Sequence, residues 1–217
     1  VVGVRAASIN RLDLYSRAGN RGTKQPEHQF PRILGGDSSG TIVEVGSGVT
    51  DFKVGDRVVI NPLLSDNPSP RMIGTHEQGS YAEFVAVPAV NVVPIPDSLS
   101  YVQAATLPTV FLPTWSIIVR EGKLQQHETA MVLSSSSGVG TAAIQLIKGV
   151  VGAKCIAVTS SDEKITKSLE LGVDHTINYK TEDVANRVKE ITGGKGVDMV
   201  VDSSGALLFE AAYSSLA

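Results

Sequence analysis

The stretch Thr129–Lys148 reads TAMVLSSSSGVGTAAIQLIK, and its pattern decides the fold of the second half of the chain. The apolar run Ala130–Leu133 predicts a short buried strand, and a turn of small residues follows from Ser134 to Gly140. After this turn, apolar residues recur with helical spacing. A strand, a small-residue turn and a helix are the parts of a dinucleotide-binding βαβ unit. In such a unit the helix N-terminus offers free N–H groups and a positive dipole end to a pyrophosphate.

The turn departs from the usual fingerprint of three spaced glycines. Serine stands at two of the expected positions, Ser135 and Ser137, whereas the last glycine is retained as Gly140. A serine adds only a hydroxyl, which is itself able to donate to a phosphate. Such a turn also occurs in ordinary strand–helix connections, so its context has to decide. We predict that the turn contacts a cofactor through Ser135, Ser136, Ser137, Gly138, Val139 and Gly140.

That context is an alternation of strands and helices after Tyr101, which predicts a doubly wound parallel sheet in an α/β fold. Before it, Val102–Leu107 and Thr114–Val119 have helical patterns, and Pro108 and Pro113 are predicted to break them. The predicted strands are 130–134, 154–159, 174–178 and 197–202, and the predicted helices are 139–150, 162–171, 181–191 and 206–216.

A complete sheet of this kind has the strand order 3-2-1-4-5-6, and this sequence supplies strands for the first part only. The chain also opens within an apolar pattern, Val1–Ala6, that is typical of a strand already under way. We therefore expect the chain to be an internal piece of a longer protein, cut at both ends.

The first half is predicted to be mostly β-structure, with strands at Thr41–Val45, Arg57–Ile60 and Tyr81–Val87 separated by Gly- and Pro-containing turns. The pattern changes near residue 106. The sequence therefore predicts two domains, 1–106 and 107–217.

Composition excludes several classes of function. The chain has 217 residues, 42% of them hydrophobic, and a net charge of −3, so it lacks the basic surface that nucleic acid binding requires. No apolar run is long enough to cross a membrane. The lone Cys155 rules out a disulfide within the chain and a zinc site built on cysteines. We expect a cytoplasmic protein that acts on a small-molecule substrate.

The end of the second predicted strand bears on the identity of the cofactor. NAD-binding units place an acidic residue there to bind the ribose 2′-hydroxyl, but this chain has Thr159, Ser160 and Ser161. Ser161 and the nearby Lys164 are suited to a 2′-phosphate. The sequence therefore favours NADP(H) over NAD(H).

Several segments, in this order, resemble the medium-chain dehydrogenase/reductase superfamily, the group of zinc-type alcohol dehydrogenases and quinone oxidoreductases. The resemblance implies a GroES-like β domain followed by a partial Rossmann domain, with an active site in the cleft between them. It also implies that the full-length protein is a homo-oligomer. The segments are AASINRLDLY (6–15), PRILGGDSSGTIVEVGSGVTDFKVGDRVV (31–59), GSYAEFVAVP (79–88), AATLPTVFLPTW (104–115), SSSSGVGTAAIQL (134–146) and GGKGVDMVVDSSG (193–205).

Departures from the pattern of this family predict that no metal is bound. Where zinc-dependent members have a Cys, a His and a third ligand, this chain has Asn10, Gly36 and Thr109, none of which binds zinc well. Asp37 stands where those members have Glu, and a single carboxylate is not a metal site. The lobe that carries a second, structural zinc in relatives would fall between Ser65 and Arg71, where no cysteine is present.

In zinc-free relatives an Asn-x-x-Asp-x-Tyr segment lies near the nicotinamide, which implies catalytic roles for Asn10, Asp13 and Tyr15. Asn10 is expected to hydrogen bond the substrate oxygen, and Tyr15 to position the substrate or relay a proton. Thr109 and Ser204 are expected to line the cofactor site. The predicted activity is hydride transfer from NADPH to a quinone or an α,β-unsaturated carbonyl compound. The alternatives are a zinc-type alcohol dehydrogenase and a non-catalytic cofactor-binding member.

Overall fold

The computed structural model describes residues 1–19, 31–64 and 71–217. The chain folds as two units, Val1–Thr109 and Val110–Ala217. The predicted boundary between residues 106 and 107 lies three residues before this division.

The first unit is built on an antiparallel sheet of five short strands. The order across this sheet is β6-β1-β2-β3-β7, and a separate hairpin pairs β4 with β5. The elements are β1 (Val2–Ala7), α1 (Arg11–Arg17), β2 (Ser38–Ile42), β3 (Arg57–Ile60), β4 (Leu63–Leu64), β5 (Arg71–Met72), β6 (Phe84–Val85), a 3₁₀ turn (Ala89–Asn91), β7 (Val92–Pro94) and α2 (Tyr101–Ala105).

Two strand predictions in this unit were wrong at their ends. The strand predicted at Thr41–Val45 lies at Ser38–Ile42, because its first residues are buried serines that carry no apolar signal. Of the strand predicted at Tyr81–Val87, only Phe84–Val85 pairs with β1. The strand Arg57–Ile60 is confirmed. The core beneath this sheet consists of Val2, Ile42, Val58, Ile60, Ile73 and Val85.

The second unit alternates strands and helices as predicted. A helix α3 (Pro108–Trp115) begins just before the boundary and continues into π-helical turns at Ser116–Glu121. The later elements are β8 (Thr129–Val132), α4 (Gly138–Leu146) with a π-helical extension (Ile147–Val151), β9 (Lys154–Thr159), α5 (Asp162–Glu170), β10 (His175–Asn178), α6 (Val184–Thr192), β11 (Met199–Val201), a 3₁₀ turn (Gly205–Leu207) and α7 (Phe209–Tyr213).

The prediction that Pro113 breaks the helix was wrong, because Pro113 lies inside α3. Proline removes one hydrogen bond donor from a helix. The hydroxyl of the next residue, Thr114, donates to the carbonyl of Val110 one turn earlier, and the wider π-helical turns follow. The last predicted helix was also too long, because 206–216 holds only a 3₁₀ turn and the short α7.

The strands β10-β9-β8-β11 form a parallel sheet with apolar side chains on both faces. This order is the 3-2-1-4 portion of the predicted sheet, so the α/β doubly wound fold is confirmed. Alternate residues of β8 point to opposite faces, with Ala130 and Val132 in one apolar cluster and Met131 in the other. α4 packs on the first face and α6 on the second.

Cys155 lies in β9 and is fully buried. Burial, followed by the charge of Asp174, raises the pKa of its thiol to about 12, so it behaves as a small apolar residue. Within the described ranges, no helix has both the length and the apolar character to cross a membrane.

In this unit, α4 approaches the turn that follows β8 closely at Gly140. A Cβ atom built on Gly140 would lie 2.3 Å from the carbonyl oxygen of Ser134 and 2.8 Å from the Cα atom of Ser135. Because both obstacles are backbone atoms, a side chain at this position would push α4 away from the turn.

We predict that Gly140→Ala lowers the free energy of unfolding by about 1–3 kcal/mol, measured by urea denaturation. The matched control is Gly149→Ala in the π-helical extension of the same helix, where a Cβ atom meets nothing within 4 Å. Because alanine is a better helix former than glycine, the control should be neutral or stabilising by up to about 1 kcal/mol. Equal destabilisation by both variants would contradict the close approach.

Candidate functional site

The serine-rich turn between β8 and α4 is closed by a helix cap. Ser137 is the N-cap of α4, and its Oγ accepts a hydrogen bond of 3.0 Å from the backbone N–H of Gly140. Its hydroxyl hydrogen therefore remains able to donate, and the first N–H groups of a helix have no partner within the helix. The turn thus has the donors that a phosphate requires at the start of α4.

Not every serine of the turn faces outward. Ser135 is 1% exposed, and its hydroxyl lies 3.0 Å from the hydroxyl of Ser168 in α5. Its backbone N–H also has a partner, the carbonyl of Val158 at 3.1 Å, so the predicted cofactor contact of Ser135 stays a prediction. Ser136 is exposed, and Ser134 adopts a left-handed φ of 52°, which is unusual for a residue other than glycine. The sequence pattern did not predict this conformation.

A second cluster of polar side chains lies where β9 ends. The Nζ of Lys164 donates to the Oγ of Ser160 at 3.1 Å, so the lysine folds back toward the end of the strand, and its predicted role in cofactor binding stays a prediction. Ser161 is the N-cap of α5, and its side chain caps no backbone N–H group. The Oγ1 of Thr159 is buried and has no hydrogen bond partner among the described residues.

Ser204, predicted to line the cofactor site, is bound to its own loop. Its backbone N–H and its hydroxyl both donate to Oδ1 of Asp202, at 2.7 and 2.8 Å, and the N–H of Gly205 donates to the same atom. Burial alone would raise the pKa of Asp202, but these hydrogen bonds outweigh it and hold the pKa below its usual value.

In the first unit, the site residues assemble around the carboxylate of Asp37, which is completely buried. Its Oδ1 accepts hydrogen bonds from the backbone N–H of Thr109 at 2.9 Å and from the Thr109 hydroxyl at 2.7 Å. Its Oδ2 accepts from the hydroxyl of Ser8 at 3.0 Å and from Nδ2 of Asn10 at 2.9 Å. Both carboxylate oxygens are therefore satisfied by donors from two distant segments of the chain.

Asp13 forms a second, connected centre. Its Oδ2 accepts from the backbone N–H of Asn10 at 2.8 Å and from the hydroxyl of Tyr81 at 2.9 Å, and its Oδ1 accepts from the N–H of Gly35 at 3.2 Å. Asn10 thus joins both carboxylates, one through its backbone and the other through its side chain. Asn10 is the N-cap of α1 and Asp13 is its N3 residue, so the contact between them is a capping box, and the catalytic roles predicted for both residues stay predictions.

Tyr15 is placed differently. Its side chain is 47% exposed and forms no hydrogen bond with the residues that the structure describes. The structure therefore does not connect Tyr15 to Asn10 or Asp13, and its predicted role stays a prediction.

Sequence reasoning missed Tyr81 as a member of this group. Its ring lies against Gly35, where a Cβ atom would come within 2.5 Å of the ring and where φ is +97°. Only glycine suits such a position. The signal available in the sequence was the paired glycine of Gly35 and Gly36, but nothing in it indicates that residue 81 is the neighbour.

The positions at which zinc-dependent relatives bind the metal have no ligand set here. Asn10 and Thr109 direct their donor groups to Asp37, and Gly36 has no side chain. Over the ranges 1–19, 31–64 and 71–217, no three His, Cys, Asp or Glu side chains come together as a metal site would require. The segment between Ser65 and Arg71, where relatives carry the structural zinc, lies outside the described residues.

Comparison with known proteins identifies the family. Residues 1–97 match the alcohol dehydrogenase GroES-like domain, and residues 138–217 match the zinc-binding dehydrogenase family. The chain belongs to the medium-chain dehydrogenase/reductase superfamily. The GroES-like domain and the Rossmann sheet that the resemblance implied are thereby confirmed, and several relatives are oxidoreductases by name.

The relatives include proteins named alcohol dehydrogenase and proteins named quinone oxidoreductase. An NAD-dependent alcohol dehydrogenase of Sulfurisphaera tokodaii is 32% identical, over 93% of this chain and 63% of that protein. A quinone oxidoreductase of Salmonella typhimurium is also 32% identical, over 98% of this chain and 59% of that protein. The crystal structure of Escherichia coli quinone oxidoreductase complexed with NADPH matches with a TM-score of 0.84 and 30% identity, over 100% of this chain and 61% of that chain. The chain thus spans about three fifths of the length of these superfamily members.

The environment of Tyr81 generates a testable prediction. Burial raises the pKa of its hydroxyl most, followed by the hydrogen bond to Asp13 and the charges of Asp13 and Asp37. Since the unfolded chain then ionises first, the free energy of unfolding should fall as the pH rises above the ordinary tyrosine pKa of about 10. Urea denaturation across this range should show a shallower fall for Tyr81→Phe. A difference titration of phenolate absorbance with a midpoint at or below that pKa would refute this environment.

Proposed function

We propose that this chain is part of an NADPH-dependent oxidoreductase that transfers hydride to a quinone or an α,β-unsaturated carbonyl acceptor without zinc. The observation that carries the proposal is the set of groups at the former metal positions. The side-chain amide of Asn10 and the hydroxyl of Thr109 both serve the carboxylate of Asp37, and Gly36 offers no ligand. These groups do not fit zinc, which prefers thiolate, imidazole and carboxylate ligands.

The proposed class of hydride acceptor follows from the lack of zinc ligands at these positions. Alcohol dehydrogenation in zinc enzymes relies on a metal that polarises the oxygen of the substrate. A quinone or an enone is already electron-poor and accepts hydride without such assistance. The quinone oxidoreductases of Salmonella typhimurium and Escherichia coli among the relatives support this acceptor class.

Three features of the second unit support NADP(H) as the cofactor: the start of α4, the turn before it and the lysine beside the end of β9. NADP(H), when bound, supplies the hydride. The N-terminus of α4 would hold its pyrophosphate, with the Ser137 hydroxyl as a further donor, and the backbone packing at Gly140 keeps the turn close to the helix. Lys164, with Ser160 and Ser161 beside it, would hold the 2′-phosphate. In the proposed enzyme, the first unit provides the groups that bind the small-molecule substrate, and the natural protein is a homo-oligomer.

An alcohol dehydrogenase is the second candidate, because the Sulfurisphaera tokodaii relative has that name and comparable identity. The two candidates differ in metal content and in substrate. A cofactor-binding protein without catalysis is a third possibility, and it would bind NADPH without turnover.

The test of the activity is a screen of NADPH oxidation by the natural full-length protein against quinones, enones and simple aldehydes, with bound metal measured on the same preparation. We expect turnover with quinones or enones and zinc far below one atom per subunit. Stoichiometric, tightly bound zinc together with alcohol oxidation would establish the second candidate instead. Binding of NADPH without turnover of any acceptor would establish the third.

The cofactor preference can be tested on one helix. We predict that Lys164→Ala weakens NADPH binding about tenfold, because a charge-assisted contact to the 2′-phosphate is lost, while NADH binding changes little. The control is Lys167→Ala, one turn further along α5, where the lysine pairs with Glu163 at 2.9 Å. Fluorescence titration measures both affinities. The assignment fails if the two variants behave alike or if the wild-type protein prefers NADH.

A further inference from the structure

We infer that Asn178 helps to set the cofactor preference, because its side chain holds the carboxylate of Asp162 on the side of α5 that faces away from the cofactor. The inference rests on the proposed function, which puts the 2′-phosphate of NADPH beside Lys164 and Ser160. It gives Asn178 a positioning role, since this residue acts through Asp162 and does not itself need to touch the cofactor.

Asp162 stands close to the place where an acidic residue opposes NADPH. It is the first acidic residue after the serine-rich turn, and it follows that turn at roughly the twenty-residue distance at which NAD-binding units place their acid. A free carboxylate at that place accepts a hydrogen bond from the ribose 2′-hydroxyl of NADH and repels the 2′-phosphate of NADPH. A site that prefers NADPH therefore has to keep this carboxylate away from the phosphate.

The order of the strands defines the side of α5 on which the cofactor would lie. In a doubly wound sheet the cofactor extends from the turn after the first strand to the end of the second, which are β8 and β9 here. β10 pairs with the opposite edge of β9, so it lies on the far side from β8.

The two charged side chains at the start of α5 point to different sides. Lys164 reaches the end of β9, where its Nζ donates to the Oγ of Ser160 at 3.1 Å. Asp162 reaches the end of β10 instead, where its Oδ1 accepts from Nδ2 of Asn178 at 3.2 Å. Residues two apart on a helix do not face each other, which allows this separation. The cation thus lies toward the proposed phosphate position and the carboxylate lies away from it.

Asn178 is held so that its amide nitrogen has to face Asp162. The residue ends β10 and is 8% exposed. Its Oδ1 accepts from the backbone N–H of Lys180 at 3.2 Å, and because a backbone N–H can only donate, the other end of the amide is the NH₂ group. The backbone N–H of Asn178 donates to Oε1 of Glu182 at 2.7 Å. The donor that meets the exposed Asp162 therefore belongs to a fixed, buried residue.

Loss of this donor should release the carboxylate. In Asn178→Ala, Asp162 loses its partner on β10, and its exposed side chain is free to turn toward the positive charge of Lys164. The carboxylate then competes with the 2′-phosphate for that lysine and repels it. NADH has a hydroxyl in place of this phosphate, so its binding should not weaken. The preference for NADPH should therefore fall only while residue 162 carries a charge.

The test measures the dissociation constants of NADPH and NADH by fluorescence titration of the natural full-length protein. We expect Asn178→Ala to lower the preference for NADPH by about fivefold or more, through repulsion between like charges. Asp162→Asn alone should change the preference less than about twofold, and Asn178→Ala combined with Asp162→Asn should restore it. The matched control is Thr181→Val. Thr181 is exposed and its hydroxyl lies 3.4 Å from the carbonyl oxygen of Asn178, so the amide is untouched and the preference should persist.

A merely structural role for Asn178 gives a different pattern. Asn178→Ala would then weaken NADPH and NADH alike, or its effect would persist in the Asp162→Asn background, and either result would overturn the inference. If Asn178→Ala does not fold, Asp162→Asn still decides, because a gain in NADPH preference of fivefold or more would mean that the carboxylate already faces the phosphate.

Failure of the inference can be told apart from failure of the proposed function. A wild-type protein that prefers NADH would refute the proposed cofactor and this inference with it. A wild-type preference for NADPH that ignores Asn178 and Asp162 would refute the inference alone. Absence of turnover with every acceptor would refute the proposed activity, whereas the titrations, which need no turnover, would still measure the preference.

Discussion

The hydrogen bonding of the buried Asp37 carboxylate constrains the whole arrangement of the first unit's site. A carboxylate removed from water costs several kcal/mol unless donors replace its hydration. Here those donors come from the end of β1, through Ser8 and Asn10, and from the start of α3, through Thr109. Segments about a hundred residues apart are therefore held to the same two oxygen atoms. Loss of any one donor would leave part of a buried charge uncompensated, so the positions of the site residues are set by one requirement.

The second unit meets a different constraint, which is steric. α4 approaches the turn after β8 so closely that Gly140 has no room for a Cβ atom. Ser137 is under no such constraint, and its side chain caps the helix instead. This explains how a fingerprint with serines at two of its glycine positions can still form the expected turn. Glycine is needed only where backbone meets backbone, and elsewhere a small polar residue can replace it and add a donor.

The sequence predicted those parts of the fold that depend on local pattern. The apolar periodicity located β9 to the residue and placed α4, α5 and α6 within a few residues of their observed ends. Prediction failed where long-range contacts decide. The buried serines at the start of β2 look polar in sequence, and Pro113 looks like a helix breaker until the π-helical turns after it are known. Tyr81 joins the site only because the fold brings it to Asp13, which no spacing rule encodes.

The groups around Asp37 also bear on the proposal that this member of the superfamily works without zinc. A zinc ion is a cation and needs ligands with free lone pairs. A buried carboxylate is an anion and needs hydrogen bond donors. At positions where zinc-dependent relatives have ligands, Asn10 and Thr109 supply donors, so the centre on which they converge has the opposite charge. A zinc site here would need ligands at all three of the positions that Asn10, Gly36 and Thr109 occupy. Replacement of one residue could not restore a zinc site, and the changes at these positions make physical sense only as a set.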